Sequence, residues 1–352
     1  MSLRVNIERF LKRDVKKGII STIILSPLYL ISLLYGAVVR IRFLLYKSSI
    51  FPSNRLPCKV VSIGNISTGG TGKTPMTLYL SKVMGKMGYR VAVLSRGYKS
   101  KREKAVTILS DGESLFFGPE ECGDEPCLIA SKLKGIPVLT GRDRYLSGKL
   151  AWEKFKVDMV ILDDGFQHLR LKRDIDIVLV TPDILNGKNY LLPRGHLREP
   201  LQAIERADIV MVRDGDKEFN FPFDKPVFTF RYKPVSLINL REERKEGIGS
   251  IKGKTVLALC GIASPDAFFT TLDGLGAIIS ERLIYADHYH YTPQDIRKIE
   301  EVSKGVDMVV TTEKDGINLQ GIIPEGLNIY ALEIEVEVME EERFINAIKG
   351  LL

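Results

Sequence analysis

A glycine-rich loop that ends in a lysine has the residue types of a phosphate-binding site. Its sequence is Ser67-Thr68-Gly69-Gly70-Thr71-Gly72-Lys73-Thr74. The pattern approximates G-x-x-x-x-G-K-[ST], with Ser67 in place of the first glycine. In such loops backbone N–H groups point at phosphate oxygens, the lysine neutralises phosphate charge, and the last hydroxyl binds Mg²⁺. The loop therefore predicts binding of a nucleoside triphosphate together with Mg²⁺.

Two adjacent carboxylates have the chemistry for the metal half of such a site. Asp163 and Asp164 directly follow the hydrophobic run 157–162. One can bind Mg²⁺ directly or through water, and the other can contact a metal-bound water or the loop lysine. Asp164-Gly165 is also a common turn sequence, but the upstream phosphate loop favours the metal role. His168 fits either a site residue or a structural histidine.

An acidic run at residues 120–126 allows two interpretations. Its carboxylates are Glu120, Glu121, Asp124 and Glu125. A solvated loop is the ordinary structure for such a run, because like charges repel one another. Alternatively, Glu125 is extended before Pro126, a helix begins at Cys127, and Asp124 lies at its entrance as a catalytic base.

The histidine pair and one basic loop are further candidates. His288 and His290 either belong to an aromatic-rich turn or include one histidine that works with a carboxylate in proton transfer. A zinc site is improbable because no further soft ligand is near in sequence. In the loop 191–201, Arg198 could bind phosphate of an anionic amphiphile, or the loop could be a rigid surface segment with ordinary ion pairs.

The elements around the phosphate loop predict a βαβ unit. Residues 59–63 alternate and are rich in β-branched side chains, residues 73–88 have a helical pattern, and residues 91–95 form a second apolar run. The loop then lies at the carboxyl end of a strand, where α/β sheets bind ligands. We predict an α/β fold: a P-loop NTPase-type parallel sheet domain, a second, smaller α/β domain, and an N-terminal membrane-associated helix.

The chain has 352 residues, a length that predicts more than one domain. A new apolar strand pattern starts near residue 254, well downstream of the metal carboxylates. We predict a membrane-association segment at residues 1–47, a phosphate-loop domain at 48–228, and a smaller C-terminal α/β domain at 229–352.

An uncharged segment at residues 18–39 is long enough to cross a bilayer as a helix. Basic residues flank it on both sides: Arg4, Arg9, Lys12, Arg13, Lys16 and Lys17 before it, and Arg40, Arg42 and Lys47 after it. A helix in the interface keeps both flanks at an anionic leaflet and is favoured; a single span or a buried core helix are the alternatives. Much of the net charge of +7 lies in these flanks, which indicates a membrane surface and not a nucleic acid.

Together the motifs resemble the tetraacyldisaccharide 4′-kinase family of lipid A biosynthesis. The matching motifs are the phosphate loop with Pro75, Ser95-Arg96-Gly97-Tyr98, Gly123-Asp124-Glu125-Pro126, Asp163-Asp164-Gly165-Phe166-Gln167-His168, Leu197-Arg198-Glu199-Pro200, Asp287-His288 and Thr312-Glu313-Lys314-Asp315. They follow the family's order from the membrane segment to about Asp315. The sequence Asp-Asp-Gly-Phe-Gln-His joined to this phosphate loop is highly specific.

The resemblance implies an activity. Members of the family use ATP and Mg²⁺ at the cytoplasmic face of the bacterial inner membrane, as peripheral or anchored enzymes. They phosphorylate the 4′-hydroxyl of a tetraacyldisaccharide 1-phosphate lipid, which gives lipid IVA. The implied partners here are that acylated lipid and the inner-membrane surface, with no nucleic acid and no protein partner.

The resemblance also implies roles for single residues. Asp124, oriented by His288, would accept the proton of the sugar hydroxyl, while Lys73, the loop amides and Mg²⁺ neutralise the transferring phosphoryl group. Thr74 and Asp163 or Asp164 would bind the metal. The residues predicted to contact substrate are Arg96, Glu125, His168 and Arg198.

Two other protein classes carry related loops. A P-loop GTPase or metallochaperone-like switch would need Asn-Lys-x-Asp to read guanine, and residues 312–315 have the wrong register for it. A membrane-associated scaffolding or partitioning ATPase, with no small-molecule phosphoacceptor, usually has a lysine ahead of the paired glycines, where this chain has Thr68. Both alternatives are less favoured than the lipid kinase.

Overall fold

The computed structural model describes residues 19–187, 189–214 and 218–352, with side chains in the first helix described from residue 26. The basic residues predicted to precede the apolar segment lie outside these ranges. The chain folds into two compact units. Unit 1 comprises the described residues up to Lys73 together with 158–231 and 338–352, and unit 2 comprises 74–157 and 232–337. The domain boundaries predicted from the sequence stay a prediction.

Strands and helices alternate along most of the chain. The described strands are β1 (Lys59–Asn65), β2 (Val91–Ser95), β3 (Thr107–Ser110), β4 (Val138–Thr140), β5 (Met159–Asp163), β6 (Ile175–Val180), β7 (Ile209–Arg213), β8 (Val227–Asn239), β9 (Lys245–Gly247), β10 (Thr255–Cys260), β11 (Ile278–Ile284), β12 (Met308–Thr312) and β13 (Ile329–Val338). The described α-helices are α1 (Ile19–Lys47), α2 (Lys73–Lys86), α3 (Pro119–Cys122), α4 (Asp124–Lys132), α5 (Arg144–Phe155), α6 (Pro182–Asn186), α7 (Pro265–Gly274), α8 (Pro293–Ser303), α9 (Glu313–Leu319) and α10 (Glu341–Leu351). Short 3₁₀ helices cover Leu201–Arg206 and Ile248–Ile251.

The strands of unit 1 form a parallel array in the order β8-β7-β6-β1-β5. β5 and β6 are buried along their whole length, as expected for parallel strands that are covered on both faces. In the pairing of β1 with β5, Ile63 lies opposite Asp163. The end of β1, where the phosphate loop starts, therefore lies beside the first of the predicted metal carboxylates.

Unit 2 contains two sets of strands. β11, β10, β12 and β13 follow one another in parallel pairing, while β2 pairs with β4 in parallel and β3 pairs with β4 antiparallel. Alternate residues of β10 enter two different apolar clusters, one with Val256 and the other with Leu257. Both faces of β10 are therefore covered, which explains why its sequence is almost entirely apolar.

The fold class is confirmed as a mixed α/β structure with mostly parallel strands. One predicted helix start is wrong. α4 begins at Asp124 and not at Cys127, so Glu125 is helical and not extended. Pro126 lies in the first turn of α4, where backbone N–H groups have no partner within the helix, and a proline there costs no hydrogen bond.

Helix α1 is long and apolar enough, from Ser26 to Lys47, to cross a membrane by length and composition. One side of it contacts the rest of unit 1: the Ser32 hydroxyl donates to the carbonyl of Leu191 (2.8 Å), and Tyr35 donates to the carbonyl of Arg198 (2.9 Å). The other side is exposed. Its large apolar side chains are Leu30, Ile31, Leu33, Leu34, Val38, Ile41 and Leu44. The described part of α1 is thus not a core helix.

Candidate active site

The phosphate loop connects β1 to the amino terminus of α2. Gly69 and Gly72 have φ angles of 115° and 103°, which disfavour residues with a Cβ. A Cβ built on Gly69 or on Gly70 would meet no heavy atom within 4 Å, so open space lies beside the loop backbone. Lys73 begins a helix of 14 residues, whose amino terminus favours an anion. The loop has the space and polarity for a triphosphate.

A second segment supports the phosphate loop. The backbone N–H of Thr68 donates to the carbonyl of His196 (2.7 Å), and the N–H of Arg198 donates to the carbonyl of Ile66 (2.8 Å). Ser67 and Leu197 form an antiparallel bridge. The loop that was predicted to clamp an anionic amphiphile therefore lies against the phosphate loop through its backbone.

Arg198 connects the phosphate loop to the metal carboxylates through its whole guanidinium group. It donates to the Ser67 carbonyl (2.9 Å), to Asn65 Oδ1 (2.8 Å), to Gln167 Oε1 (3.3 Å), and to both oxygens of Asp164 (3.1 and 3.3 Å). These bonds use all five N–H donors of an arginine. A phosphate group could bind this guanidinium only by displacing one of these acceptors. The predicted contact of Arg198 with substrate stays a prediction.

We expect Arg198→Lys to raise the dissociation constant for ATP by about tenfold or more. A lysine has three donors on a flexible stem and cannot replace the planar fork that joins Ser67, Asn65 and Asp164. The measurement is calorimetric titration with a non-hydrolysable ATP analogue, with Arg170→Lys as the control. If ATP affinity stays unchanged and only the KM of the lipid rises, Arg198 acts on the lipid and not on the loop.

The two predicted metal carboxylates differ in their surroundings. Asp163 is buried at the end of β5. Asp164 is half-buried, lies 3.8 Å from Lys73 Nζ, and has a φ of 54°, a region that aspartate enters more readily than most residues. The sequence left open which aspartate binds the metal and which contacts the loop lysine. In the structure, Asp164 contacts the lysine. Which of the two carboxylates binds the metal stays a prediction.

The surroundings of the loop also suit Mg²⁺. This ion prefers oxygen ligands and is usually bound by one or two carboxylates together with substrate phosphates. Thr74 follows Lys73 at the start of α2, and Asp163 ends the strand that pairs with β1. The Thr74 hydroxyl and the Asp163 carboxylate are oxygen donors of the kind that this ion prefers, and their role as ligands stays a prediction.

A second polar cluster lies in unit 2 and contains the predicted base. His288 Nδ1 lies 3.0 Å from both carboxylate oxygens of Asp124. Asp124 is the first residue of α4 and is only 7% exposed. His288 lies in a turn and has a φ of 60°, in the left-handed region. The structure thus joins the two residues that the family resemblance paired, although they are 164 positions apart.

Ionisation of this cluster follows from its contacts. Burial raises the pKa of Asp124, but the hydrogen bond from His288 and the charge of Lys314 lower the pKa to about 2. Burial lowers the pKa of His288, whereas the hydrogen bond to Asp124 raises it, and the net direction is upward. Asp124 is therefore ionised throughout the neutral pH range and can accept a proton.

The other predicted substrate residues occupy different positions. Arg96 pairs with Glu103 (2.6 Å) and lies over the ring of Tyr98, whose centroid is 6.3 Å from that of His288. Glu125 lies 3.2 Å from Lys314 Nζ. His168 lies in unit 1, and its carbonyl accepts from Arg173 (3.2 Å). Arg96 and Glu125 are thus close to the Asp124 cluster, while His168 belongs to the loop after β5.

Sequence reasoning missed two residues of these clusters. Asn65 donates to the Thr71 hydroxyl (2.8 Å) and accepts from Gln167 through its carbonyl (2.8 Å). A polar residue at the carboxyl end of a buried strand was the signal that could have found it. Lys314 was noted only as part of a motif, and its three acidic neighbours come from distant segments. No feature of the sequence next to Lys314 identifies these three acidic neighbours.

The chain is similar to known proteins of one family. The model of a family described as Tetraacyldisaccharide-1-P 4′-kinase matches residues 24–352. A tetraacyldisaccharide 4′-kinase of Syntrophus aciditrophicus is 44% identical over 333 residues, 89% of each chain. A protein of the same name from Desulfatibacillum aliphaticivorans is 38% identical and covers 100% of this chain and 98% of its own.

A solved structure has the same fold. It is described as the "apo" form of LpxK from Aquifex aeolicus in complex with ATP. It is 36% identical to this chain and superposes with a TM-score of 0.79, over 93% of this chain and 99% of its own. The similarity covers both units and not only the phosphate loop.

Proposed function

The chain belongs to the tetraacyldisaccharide-1-P 4′-kinase family and is an ATP-dependent lipid kinase of lipid A biosynthesis, and on this premise we propose how its residues carry out the transfer. Asp124 accepts the proton of the 4′-hydroxyl of the tetraacyldisaccharide 1-phosphate lipid as the bond to the γ-phosphorus of ATP forms. The observation that supports this assignment is the buried, ionised Asp124 carboxylate, contacted through both oxygens by His288.

The phosphate loop acts on the group that is transferred. Lys73 and the backbone N–H groups of residues 69, 70, 72 and 73 neutralise the charge that develops on the phosphoryl oxygens. The Thr74 hydroxyl and the Asp163 carboxylate would hold Mg²⁺, which would supply further charge neutralisation at the phosphates. Asp164, paired with both Lys73 and Arg198, orients the lysine. The products are ADP and the 4′-phosphorylated lipid.

The direct experiment is transfer of labelled phosphate from γ-labelled ATP to a purified tetraacyldisaccharide 1-phosphate lipid. We expect label in the lipid, with a strict requirement for Mg²⁺ and for the free 4′-hydroxyl. A lipid that lacks the 4′-hydroxyl is the control. Hydrolysis of ATP at the same rate with either lipid, and no labelled lipid, would instead indicate a scaffolding ATPase.

For the location we propose a helix that lies flat on the cytoplasmic face of the inner membrane. Helix α1 contacts the rest of unit 1 from Tyr29 to Arg42. The ring of Tyr29 meets that of Tyr190 edge-on, and Arg42 donates to the carbonyl of Gln167 (3.0 Å). The uncharged helical residues before Tyr29, 19–28, measure about 15 Å along the helix, at 1.5 Å per residue. This is shorter than the roughly 30 Å of a hydrocarbon core. The exposed apolar side of α1 faces the lipid instead.

We expect polar substitutions on the exposed side of α1 to release the protein from membranes. The variant Leu30→Ser, Leu34→Ser and Val38→Ser removes three apolar side chains that are each more than 60% exposed. Each loses about 2 kcal/mol of transfer free energy, since burying a leucine or valine side chain contributes about 1.5–3 kcal/mol. The measurement is co-sedimentation with vesicles that contain anionic lipid, and deletion of residues 1–45 should give the same release.

The matched control carries the same change at an exposed apolar residue in unit 2. Ile278→Ser alters a side chain that is 55% exposed on β11, away from α1 in sequence, and should leave sedimentation unchanged. Equal sedimentation of the triple variant and the wild type would contradict the flat helix.

A further inference from the structure

Lys314 is a buried lysine at the centre of the Asp124 cluster. Its side chain is 15% exposed, and it extends from the first turn of α9. Its Nζ lies 2.8 Å from Asp287 Oδ1, 3.2 Å from Glu125 Oε1 and 3.3 Å from His288 Nε2. These contacts use the three donors of an ammonium group. No donor of Lys314 therefore remains for a phosphate oxygen of a substrate.

The charge of Lys314 is fixed by its neighbours. Asp124 Oδ2 lies 3.9 Å from Nζ, so three carboxylates surround a single ammonium group. Burial lowers the pKa of Lys314, but the charges of Glu125, Asp124 and Asp287 outweigh it, and the net direction is upward. Lys314 is thus a cation at neutral pH.

The contact with His288 then determines where the imidazole carries its proton. An ammonium group has donors and no acceptor, so the neutral ring must present the lone pair of Nε2 to Lys314. The ring proton is left on Nδ1, which faces both oxygens of Asp124. In an imidazole, the hydrogen bond at one nitrogen selects the tautomer at the other.

We propose that Lys314 is a positioning residue that selects the Nδ1-protonated tautomer of His288, and so makes His288 a donor to Asp124 and not a proton acceptor. This inference rests on the proposed role of Asp124 as the base. With Nε2 bonded to Lys314 and Nδ1 protonated, neither ring nitrogen can take the proton of the sugar hydroxyl. The proton therefore goes to Asp124, and the Nδ1–H bond orients its carboxylate.

The same contact also affects the pH at which the cluster works. The groups that face His288 are Asp124 on α4, Lys314 on α9, Asp287 on its own loop and the ring of Tyr98. Glu125 on α4 contacts Lys314. Lys314 lowers the pKa of both Asp124 and His288. Its removal raises both values, so the acid limb of kcat/KM moves to higher pH.

The test combines the tautomer of His288 with the pH profile of the reaction. The full chain, in detergent and labelled with ¹⁵N in its histidine rings, should show a protonated Nδ1 and an unprotonated Nε2 at His288, assigned by comparison with His288→Gln. In Lys314→Met, we expect protonated Nε2 to become populated, kcat/KM to fall about 10- to 100-fold, and the acid limb to shift upward. Lys314→Arg keeps the charge and the donors and should recover most of the activity.

The control variant removes another lysine that joins the same two helices. Lys132 lies at the carboxyl end of α4 and forms ion pairs with Glu313 and, at 3.2 Å, with Glu333. Lys132→Met should lower the melting temperature without changing the tautomer of His288 or the acid limb. A merely structural Lys314 would behave in the same way.

Two results would overturn the proposal. One is a proton on Nε2 of His288 in the wild type, measured at a pH above the pKa of the ring. This measurement does not depend on the folding of any variant. The other is an unchanged tautomer and acid limb in Lys314→Met. Neither result affects the assignment of Asp124 as the base, provided that Asp124→Asn is inactive. An active Asp124→Asn would refute that assignment, but it would not change the tautomer of His288.

Discussion

Replacing Asp124 with asparagine is expected to lower kcat about 10²- to 10⁴-fold, the range that a positioned general base contributes. The amide of asparagine has the same shape and can still accept the Nδ1–H bond of His288, but it cannot take up a proton at neutral pH. Glu125 and Asp287 continue to neutralise Lys314 in this variant. The loss therefore reports the missing base and not a collapsed cluster.

Binding of ATP should change little in this variant. Residues 67–73 of the phosphate loop, Arg198 and Asp164 belong to unit 1, and Asp124 belongs to unit 2. The measurements are single-turnover phosphate transfer to the lipid and calorimetric titration with an ATP analogue. A low kcat with an unchanged dissociation constant for the analogue is the expected combination.

A carboxylate from the same acidic run provides the control. Glu120 is exposed and pairs with Lys101 (2.7 Å), so Glu120→Gln removes one negative charge without touching His288 or Lys314. It should retain the turnover of the wild type. Turnover of Asp124→Asn within a few fold of the wild type would refute the base assignment.

The sequence predicted the local part of the site well. The β1–loop–α2 unit and the strand over residues 91–95 are confirmed. The hydrophobic run 157–162 is also a strand, observed as Met159–Asp163. Each of these strands has a short apolar run that is followed by a clear turn signal. The start of α4 was placed three residues late because a proline was taken as a barrier, although the first turn of a helix accepts one. Helix starts near proline depend on which turn the proline enters.

The pairing of distant residues could not be predicted from spacing or composition. Asn65 and Arg198 are 133 positions apart, and Glu125 and Lys314 are 189 positions apart. An acidic run is ordinarily solvated, and only the arrival of Lys314 and His288 from another segment makes burial of Asp124 favourable. The resemblance to a family supplied the pair Asp124 and His288, but it gave no contact for Lys314.

Replacing Lys73 with methionine is expected to lower kcat about 10²- to 10³-fold, the cost of removing one preorganised charge from the transferring phosphoryl group. Methionine keeps much of the length and packing of the lysine stem but has no charge. The site should otherwise stay ordered, because Asp164 remains paired through both oxygens with Arg198 at 3.1 and 3.3 Å. The dissociation constant for ATP should also rise, since Lys73 interacts with the phosphates before and during transfer.

Lys86 provides a control at the other end of the same helix. Lys86 is exposed in the last turn of α2, at the opposite end of the helix from the phosphate loop. Lys86→Met therefore removes the same charge from the protein and from the helix as Lys73→Met does. At each Mg²⁺ concentration, we expect Lys86→Met to have the same single-turnover rate and the same ATP affinity as the wild type. For Lys73→Met, high Mg²⁺ should not restore the rate, because the loop fixes the position of the lysine charge and a metal ion in excess has no ligands there. A Lys73→Met rate within threefold of that of Lys86→Met would show that the loop binds ATP without contributing this charge to the transfer.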